Sequence, residues 1–286
     1  MSVKLKNLTK KQRSLAQNIF AYVVLAITSI GFILPLFWMV LTSFKSYEEN
    51  LAYPPRWFPA AFNFNNYREA LFDFMPYFRY FFNSVFLVVV GTLATLVSAT
   101  LVAYGFARHK SKLSKILFYV LLATMMLPAQ TTLISSYVVW AKLGMVNTYV
   151  PLLIGTFFGG SAFYIFLIRQ FISNIPIELE EAALVEGANR FQIFRIIIVP
   201  LLKPVLATVA IFSFQAIWND FIGPLIYIKD ERLYTVAQAI TLFKMPQETL
   251  WGPMMAASIV TIIPIMIIFA VAQRYFISGI TLGAVK

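Results

Sequence analysis

The chain has 286 residues, of which 60% are hydrophobic and only 12% are charged. Soluble domains carry about 25% charged residues, so this chain lacks the polar side chains that a water-covered surface needs, and we expect lipid to cover much of it. There are no cysteines, which excludes disulfides, thiolate metal sites and a cysteine nucleophile. The formal net charge is +11, and its distribution along the chain argues against a nucleic-acid partner, as described below.

Six apolar runs are each long enough to cross a bilayer, which takes about 20 residues. They are residues 19–44, 81–107, 116–139, 149–172, 205–228 and 254–277. The first run is too long for a signal-peptide core and contains Pro35 and Trp38 where a cleavage site would be expected, so we interpret it as an uncleaved span. The sequence therefore predicts an all-α membrane protein with an N-terminal segment (1–18), a six-span domain (19–277) and a C-terminal tail (278–286).

The basic residues lie mainly on one side of this topology. The two termini and the loops after spans two and four hold 15 of the 23 basic residues and 4 of the 12 acidic ones, so they carry the whole net charge. Cationic segments stay in the cytoplasm during insertion. We therefore expect a multi-pass protein of the cell membrane with both termini in the cytoplasm. The single histidine, His109, lies in one of these basic loops and is interpreted as solvated.

The predicted outer loop between spans one and two, residues 45–80, contains four prolines and several aromatic residues. Proline fixes the backbone and removes a hydrogen-bond donor, so we expect an irregular, aromatic-rich cap at the membrane interface. The loop is longer than a plain connection requires. It is therefore either a linker or a contact surface, and the second interpretation is preferred.

The cytoplasmic loop between spans four and five, residues 174–204, has the sequence of two short helices. Pro176 and the glutamates after it suit a helix N-terminus, Gly187 suits a break or a left-handed cap, and Asn189 can cap a second helix. Glu181 offers a carboxylate, and the small side chains that follow it would let a partner come close to the backbone. The loop is either a docking element or an amphipathic helix that covers the end of the bundle.

The same loop resembles the EAA loop of ABC-importer permeases. The matching residues are Glu181-Ala182-Ala183, then after three residues Gly187, then after nine residues Ile197-Ile198-Val199-Pro200, with Val199 where leucine is usual. Trp218-Asn219-Asp220-Phe221 and the C-terminal Ser278–Lys286 are similar to segments of carbohydrate-uptake permeases. Among these, the chain looks most like the maltose-type inner subunit.

This resemblance implies the type I ABC-importer permease fold and a set of partners. They are a second, homologous permease, two ATP-binding-cassette ATPase subunits and an extracytoplasmic substrate-binding protein. It implies that Glu181, Ala182, Ala183, Gly187 and Pro200 belong to the loop that couples the permease to the ATPase. The chain itself has no G-x-x-x-x-G-K-[ST] motif, so ATP and Mg²⁺ are expected on the partner subunits and neither a catalytic site nor a metal site is expected here.

Trp218, Asn219 and Asp220 are candidates for the substrate path. An aromatic face can stack on a sugar ring, and amide and carboxylate groups can bond its hydroxyls. Alternatively, these polar groups bond a neighbouring helix or a partner subunit. The tail 279–286 likewise has two interpretations, a disordered end or a segment that reaches between the ATPase subunits.

Two other function classes fit the sequence less well. A secondary carrier driven by an ion gradient usually has ionisable residues within its spans, and Asp220 is the one candidate here. For an intramembrane enzyme, the sequence offers no cysteine, no second histidine for a metal pair and no carboxylate pair within the spans. The prediction is therefore a permease subunit of an ATP-driven carbohydrate importer, with the carrier as the alternative and the identity of the sugar left open.

Overall fold

The computed structural model describes residues 10–284 of the chain, and the side chains of residues 17–128 and 130–271. The described part is helical, with one isolated antiparallel bridge between Lys244 and Thr249. Its α-helices, in chain order, are α1 (Lys10–Ser43), α2 (Tyr47–Leu51), α3 (Asn65–Arg68), α4 (Tyr77–Arg108), α5 (Lys112–Thr124), α6 (Ala129–Lys142), α7 (Val150–Leu153), α8 (Ala162–Ser173), α9 (Glu178–Val185), α10 (Arg190–Gln192), α11 (Val199–Leu201), α12 (Lys203–Trp218), α13 (Ile222–Tyr227), α14 (Val236–Ala239) and α15 (Trp251–Ala284).

Four helical segments of the described chain are long and apolar enough to cross a membrane, judged by length and composition. They are Gln17–Ser43, Tyr77–Arg108, Val150–Ser173 and Trp251–Val271. A fifth span is possible if Arg190–Leu201 and Lys203–Trp218, which meet at an angle of 76°, are counted together. These segments correspond to predicted spans one, two, four, six and five, and the count of six remains a prediction.

Predicted span three is interrupted rather than continuous. Helix α5 ends at Thr124 and α6 begins at Ala129, with a turn between them that ends at Pro128. Proline has no backbone N–H and disfavours a helical conformation in the residue before it. The break is therefore local in origin, and the sequence analysis did not give Pro128 enough weight.

The chain divides into two compact parts, and the first comprises residues 10–75 and 243–260. In this part, the loop between α1 and α4, which was expected to be irregular, contains the short helix α2 and is ordered by polar contacts. Ser46 and Glu49 form a capping box at the start of α2, and Glu49 also accepts a hydrogen bond from the Ala60 N–H at 2.7 Å. Hydrogen bonds from the Ala60 and Ser46 backbone lower the pKa of Glu49. The expected aromatic character is present, since Phe44 is in ring contact with Phe62, Phe64 and Tyr67.

The second part comprises residues 76–242 and 261–284 of the described chain, and α4 is at its centre. Helices α8 and α12 pack against α4 along a buried line of small residues at four-residue spacing: Gly91, Thr95, Ala99 and Ala103. Small residues on one face let helix backbones approach closely. A Cβ atom on Gly91 would lie only 2.6 Å from Ile217 Cδ1, so a larger residue at this position of α4 would force the Ile217 side chain to move.

Predicted span four is also divided, into α7, a 3₁₀ segment (Ile154–Phe158) and α8. Gly159 and Gly160, with φ of 98° and 67°, make the turn into α8. The Ser98 hydroxyl of α4 holds this turn, because it donates to the Thr156 carbonyl at 2.8 Å and accepts from the Gly159 N–H at 2.9 Å. The turn therefore has a fixed position on α4.

The C-terminal helix continues beyond the predicted end of span six. The sequence analysis ended that span at Ile277, whereas α15 runs to Ala284. Side chains after Val271 lie outside the described residues, as do residues 1–9, 285 and 286. The role of the tail 278–286 therefore remains a prediction, and so does that of most of the N-terminal segment 1–18.

Candidate functional site: the cytoplasmic loop and the polar residues of span five

The loop 174–204 folds in the predicted order of helix, glycine turn and second helix. Helix α9 begins at Glu178 with three glutamates in its first turn, where carboxylates favour the positive end of the helix dipole. Gly187 has φ of 89°, the left-handed conformation that glycine adopts without strain. Asn189 then forms a capping box with Gln192 at the start of α10.

The second helix of the loop is less regular than expected. A π-helical segment (Ile193–Ile198) follows α10, and α11 contains Pro200. This stretch then meets α12 at 76°. Pro200 lies at the start of α11, shortly before α12 begins, and its side chain is exposed at the protein surface.

The residues of the EAA motif lie on different faces of α9. Glu181 and Ala182 are exposed, and so is Gly187. Ala183 is buried, and it belongs to the apolar core with Ile168 and Ile172 of α8. Ala182 is therefore the exposed alanine of the motif, whereas Ala183 lets α9 lie close to its own bundle.

Sequence analysis missed the residue that fixes α9 in place. Glu180 is only 7% exposed and pairs with the Arg108 guanidinium at the end of α4. Its other carboxylate oxygen accepts a hydrogen bond from the Tyr104 hydroxyl at 2.8 Å, and Arg108 also donates to the Ile175 carbonyl at 3.0 Å. We call these three side chains, Tyr104, Arg108 and Glu180, the α4–α9 clamp. Adjacent glutamates thus have opposite environments, because Glu180 is paired inside the fold and Glu181 is free at the surface.

Tyr104 extends the clamp to the second half of the loop. Its ring lies 5.1 Å from the ring of Phe194, centroid to centroid, in the π-helical segment. Helix α4 therefore contacts both sides of the glycine turn. A displacement of this loop would act on α4 directly.

Trp218 is buried and held by contacts within the second part of the chain. It is 2% exposed, its indole N–H donates to the Thr261 carbonyl at 3.2 Å, and its ring stacks on Phe214 and meets Phe81 edge-on. A sugar could not reach this ring without unpacking it. This geometry agrees with the packing interpretation of Trp218.

Asn219 and Asp220 lie where predicted span five is interrupted between α12 and α13. Asn219 is exposed and Asp220 is half-buried, with its Oδ1 accepting the Gly223 N–H at 3.0 Å. Asp220 lines a cavity of about 130 Å³ together with Leu152 and Pro224. Ligand pockets usually measure about 300–1,000 Å³, so this cavity is small for a sugar in the single chain. Trp218 does not share an open site with these two residues.

The described residues include no group of three or more His, Asp or Glu side chains that could hold a metal ion. The acidic residues of α9 all lie in its first turn, but their environments differ, as Glu180 and Glu181 show.

Comparisons with known proteins agree with this architecture. Residues 91–282 match the family described as binding-protein-dependent transport system inner membrane component. The diacetylchitobiose uptake system permease protein DasC of Streptomyces coelicolor is 32% identical over 275 residues, which cover 96% of this chain and 99% of DasC. The melibiose/raffinose/stachyose import permease protein MelC of Bacillus subtilis is 33% identical over 266 residues, or 91% of this chain and 94% of MelC.

A solved structure of a bacterial ABC transporter involved in the import of the acidic polysaccharide alginate has the same fold. One of its chains superposes with a TM-score of 0.82 at 22% identity, covering 94% of this chain and 99% of that one. The family match extends over most of the helical bundle and the cytoplasmic loop. The chain therefore belongs to the inner-membrane permease components of binding-protein-dependent ABC importers, in the branch whose members resemble carbohydrate-uptake permeases.

Proposed function

We propose that this chain is a membrane-spanning permease subunit of an ATP-driven importer of sugars or oligosaccharides. It forms half of the translocation path, and a second homologous permease forms the other half. Two separate ATPase subunits bind ATP and Mg²⁺, and an extracytoplasmic binding protein delivers the substrate. The relatives DasC and MelC, which are named for the uptake of diacetylchitobiose and of melibiose, raffinose and stachyose, support a carbohydrate as the substrate.

The observation that carries the coupling proposal is that two neighbouring glutamates on α9 have different environments. Glu180 fixes the helix to α4, whereas Glu181 and Ala182 remain exposed beside the Gly187 turn. Val185, one turn further, is 90% exposed, which adds an apolar side chain to the same short helix. An exposed carboxylate, a small residue and an exposed valine on an anchored helix suit insertion into a partner's groove.

In this mechanism, closure of the ATPase subunits moves α9, and the clamp passes the movement to α4. Rigid-body rocking of packed helices is an established type of switch, and the close packing of α4 against α8 and α12 favours movement as one body. The ion-gradient carrier has no observation in its favour, since the relatives reported above are permease proteins and the solved structure is an ABC transporter.

For the substrate path we propose Asn219 and Asp220, and we assign Trp218 to packing. The break between α12 and α13 frees backbone groups, which are tolerated at membrane depth where they are buried in protein or line a cavity. The small cavity beside Asp220 suggests that the path is completed by the second permease.

The coupling proposal is tested by reversing the charge of Glu181. Glu181→Lys should insert normally but retain less ATPase subunit during purification and transport less substrate, because losing a charge-assisted contact at an interface typically costs about 2–5 kcal/mol. Glu178→Lys is the matched control, since it makes the same change at another exposed position of α9. Normal ATPase retention and uptake in Glu181→Lys would remove Glu181 from the coupling surface.

A further inference from the structure

A cavity of about 680 Å³, which we call the basic pocket, lies where the α4–α5 turn faces the end of α8 and the start of α9. Four cationic side chains line it: Arg108, Lys110, Lys115 and Arg169. Its volume is within the range of about 300–1,000 Å³ that is usual for ligand sites. Of the cationic residues in its lining, only Arg108 has a role in the coupling proposal, as a member of the α4–α9 clamp.

The charge of the basic pocket is not balanced by the protein. Arg108 is neutralised by Glu180, and Glu178 is the one acidic residue in the lining. Within the described residues, Lys110, Lys115 and Arg169 form no ion pair. Three cations therefore share one carboxylate, and the excess favours a bound anion.

Arg169 is held in position at the pocket. Its guanidinium carbon lies 4.0 Å from the centroid of the Phe118 ring, and its Nε donates to the Phe106 carbonyl at 3.5 Å. A guanidinium has five donors in a planar fork that matches the oxygens of a phosphate group. Stacking on Phe118 leaves donors of this fork for a ligand and reduces the ordering that binding would require.

An apolar groove of about 440 Å³ adjoins the basic pocket. Val102, Leu113 and Leu117 line the groove, and Phe106 is shared by the two cavities, as are His109 and Ser114. Leu113 and Leu117 are 64% and 49% exposed, so in a membrane protein they are available to an acyl chain. A polar, cationic cavity thus continues into an apolar one at the end of two membrane helices.

We propose that the basic pocket binds the phosphate of an anionic phospholipid, with Lys110, Lys115 and Arg169 around the headgroup and an acyl chain along the apolar groove. Basic pockets between membrane helices are known to bind lipid headgroups. The tendency of cytoplasmic loops to be basic explains the number of cations, but not their convergence on a cavity that shares residues with an apolar groove. The proposal requires only a membrane location and stands apart from ATPase coupling.

The test measures lipid binding to the full-length chain in detergent by native mass spectrometry, with phosphatidylglycerol, phosphatidylcholine and glycerol 3-phosphate as probes. We expect phosphatidylglycerol to bind more tightly than phosphatidylcholine. Each juxtamembrane cation strengthens attraction to anionic lipid about fivefold, so Lys110→Gln/Lys115→Gln should weaken phosphatidylglycerol binding about 25-fold. Glu178→Gln, which removes the opposing carboxylate, should strengthen it.

The control removes the same charge outside the pocket. Lys112 and Lys203 are exposed and do not line it, so Lys112→Gln/Lys203→Gln should bind phosphatidylglycerol as the wild type does. Equal losses in the two double variants would overturn the proposal in favour of general membrane electrostatics. Equal binding of phosphatidylglycerol and phosphatidylcholine to the wild type would overturn it too.

A second arm separates lipid from a soluble phosphate ester. Gly105 lines the groove, and a Cβ atom on it would meet nothing within 4 Å. Gly105→Leu should therefore fill part of the groove and weaken the binding of phosphatidylglycerol. Leu113→Gln, which keeps the size of an exposed side chain and removes its apolar character, should act in the same direction. If neither variant changes phosphatidylglycerol binding while glycerol 3-phosphate competes fully with it, the ligand is a soluble phosphate and the lipid assignment is wrong.

Discussion

At the residue scale, the cytoplasmic loop depends on a few side chains whose roles follow from backbone geometry or from burial. Gly187 is exposed, and a Cβ built on it would meet no atom within 4 Å. Its requirement for glycine is therefore conformational, because φ of 89° places a side chain too close to the following carbonyl oxygen. Glu180, in contrast, is defined by its partners.

Gly187→Ala should destabilise the glycine turn by about 1–2 kcal/mol, the cost of a left-handed conformation for an L-residue with a Cβ. Amides of residues 183–190 should then exchange with deuterium roughly five- to thirtyfold faster in the purified protein. Gly187→Asn should behave better, because asparagine tolerates this conformation. Gly105→Ala is the control, because Gly105 also has open space around its Cα but lies in a helix, and it should leave the exchange of these amides unchanged. If the amides of Gly187→Ala exchange at the wild-type rate, the turn is not held at positive φ.

At the element scale, sequence and structure agree where the determining forces are local. Gly187 and Asn189 were predicted in their turn and cap because left-handed backbone and side-chain capping are properties of a few adjacent residues. Pro128 carries the same kind of local signal for the break in span three. The sequence could not show that Glu180 rather than Glu181 is buried, since that depends on Arg108, 72 residues away along the chain.

The burial of Trp218 is another non-local result. An aromatic residue beside Asn219 and Asp220 is compatible with sugar stacking on residue types alone. Contacts with Phe81 and Thr261, which lie on other helices of the second part, determine that its indole points into the core. The candidate site could therefore be located from the sequence, but its inward-facing and outward-facing members could not be separated.

The α4–α9 clamp should act as one unit. Breaking a buried ion pair by removing one partner typically costs about 3–5 kcal/mol, because the remaining charge is left unpaired. Arg108→Gln and Glu180→Gln should each loosen α9, measured as faster hydrogen exchange of residues 178–185. The double variant should be less affected than the two single effects added together, since neither charge is then left alone.

A coupling readout distinguishes the clamp from a merely structural pair. In the assembled transporter, the single variants should hydrolyse ATP while moving less substrate per ATP, because α9 would move without displacing α4. Glu178→Gln, an exposed carboxylate in the same helix, provides the control. Additive exchange effects in the double variant, together with wild-type transport per ATP in all three, would contradict a role for the clamp in coupling.

At the scale of the whole molecule, the predicted topology places the net charge of the sequence on one side of the membrane. The loop carrying α9 and the α4–α5 turn belong to this predicted cytoplasmic side. The loop of the first part, between α1 and α4, instead uses Lys45 for internal contacts. Its ammonium donates to the Arg56 carbonyl at 2.7 Å and lies 4.0 Å from the Trp38 ring centroid, and burial lowers its pKa.

This asymmetry gives a direct test of orientation. The chain has no cysteine, so single cysteines can be introduced without a background signal. Ala61 in the loop between α1 and α4 and Lys112 at the start of α5 are both exposed. Ala61→Cys should react with a membrane-impermeant maleimide on intact cells, because loops poor in net positive charge are translocated, whereas Lys112→Cys should react only after the membrane is permeabilised, because the basic α4–α5 turn is retained in the cytoplasm.

The control for accessibility is labelling after permeabilisation, when both variants should react to the same extent. Lys112→Cys reacting on intact cells while Ala61→Cys does not would invert the orientation. It would place α9 and its exposed Glu181 outside, where no ATPase could reach them, and would contradict the coupling proposal. Labelling of both positions on intact cells would show that an even number of crossings separates them. In the described chain, α4 is the one helix long and apolar enough to cross a membrane between Ala61 and Lys112. That outcome would therefore mean that α4 does not cross the bilayer.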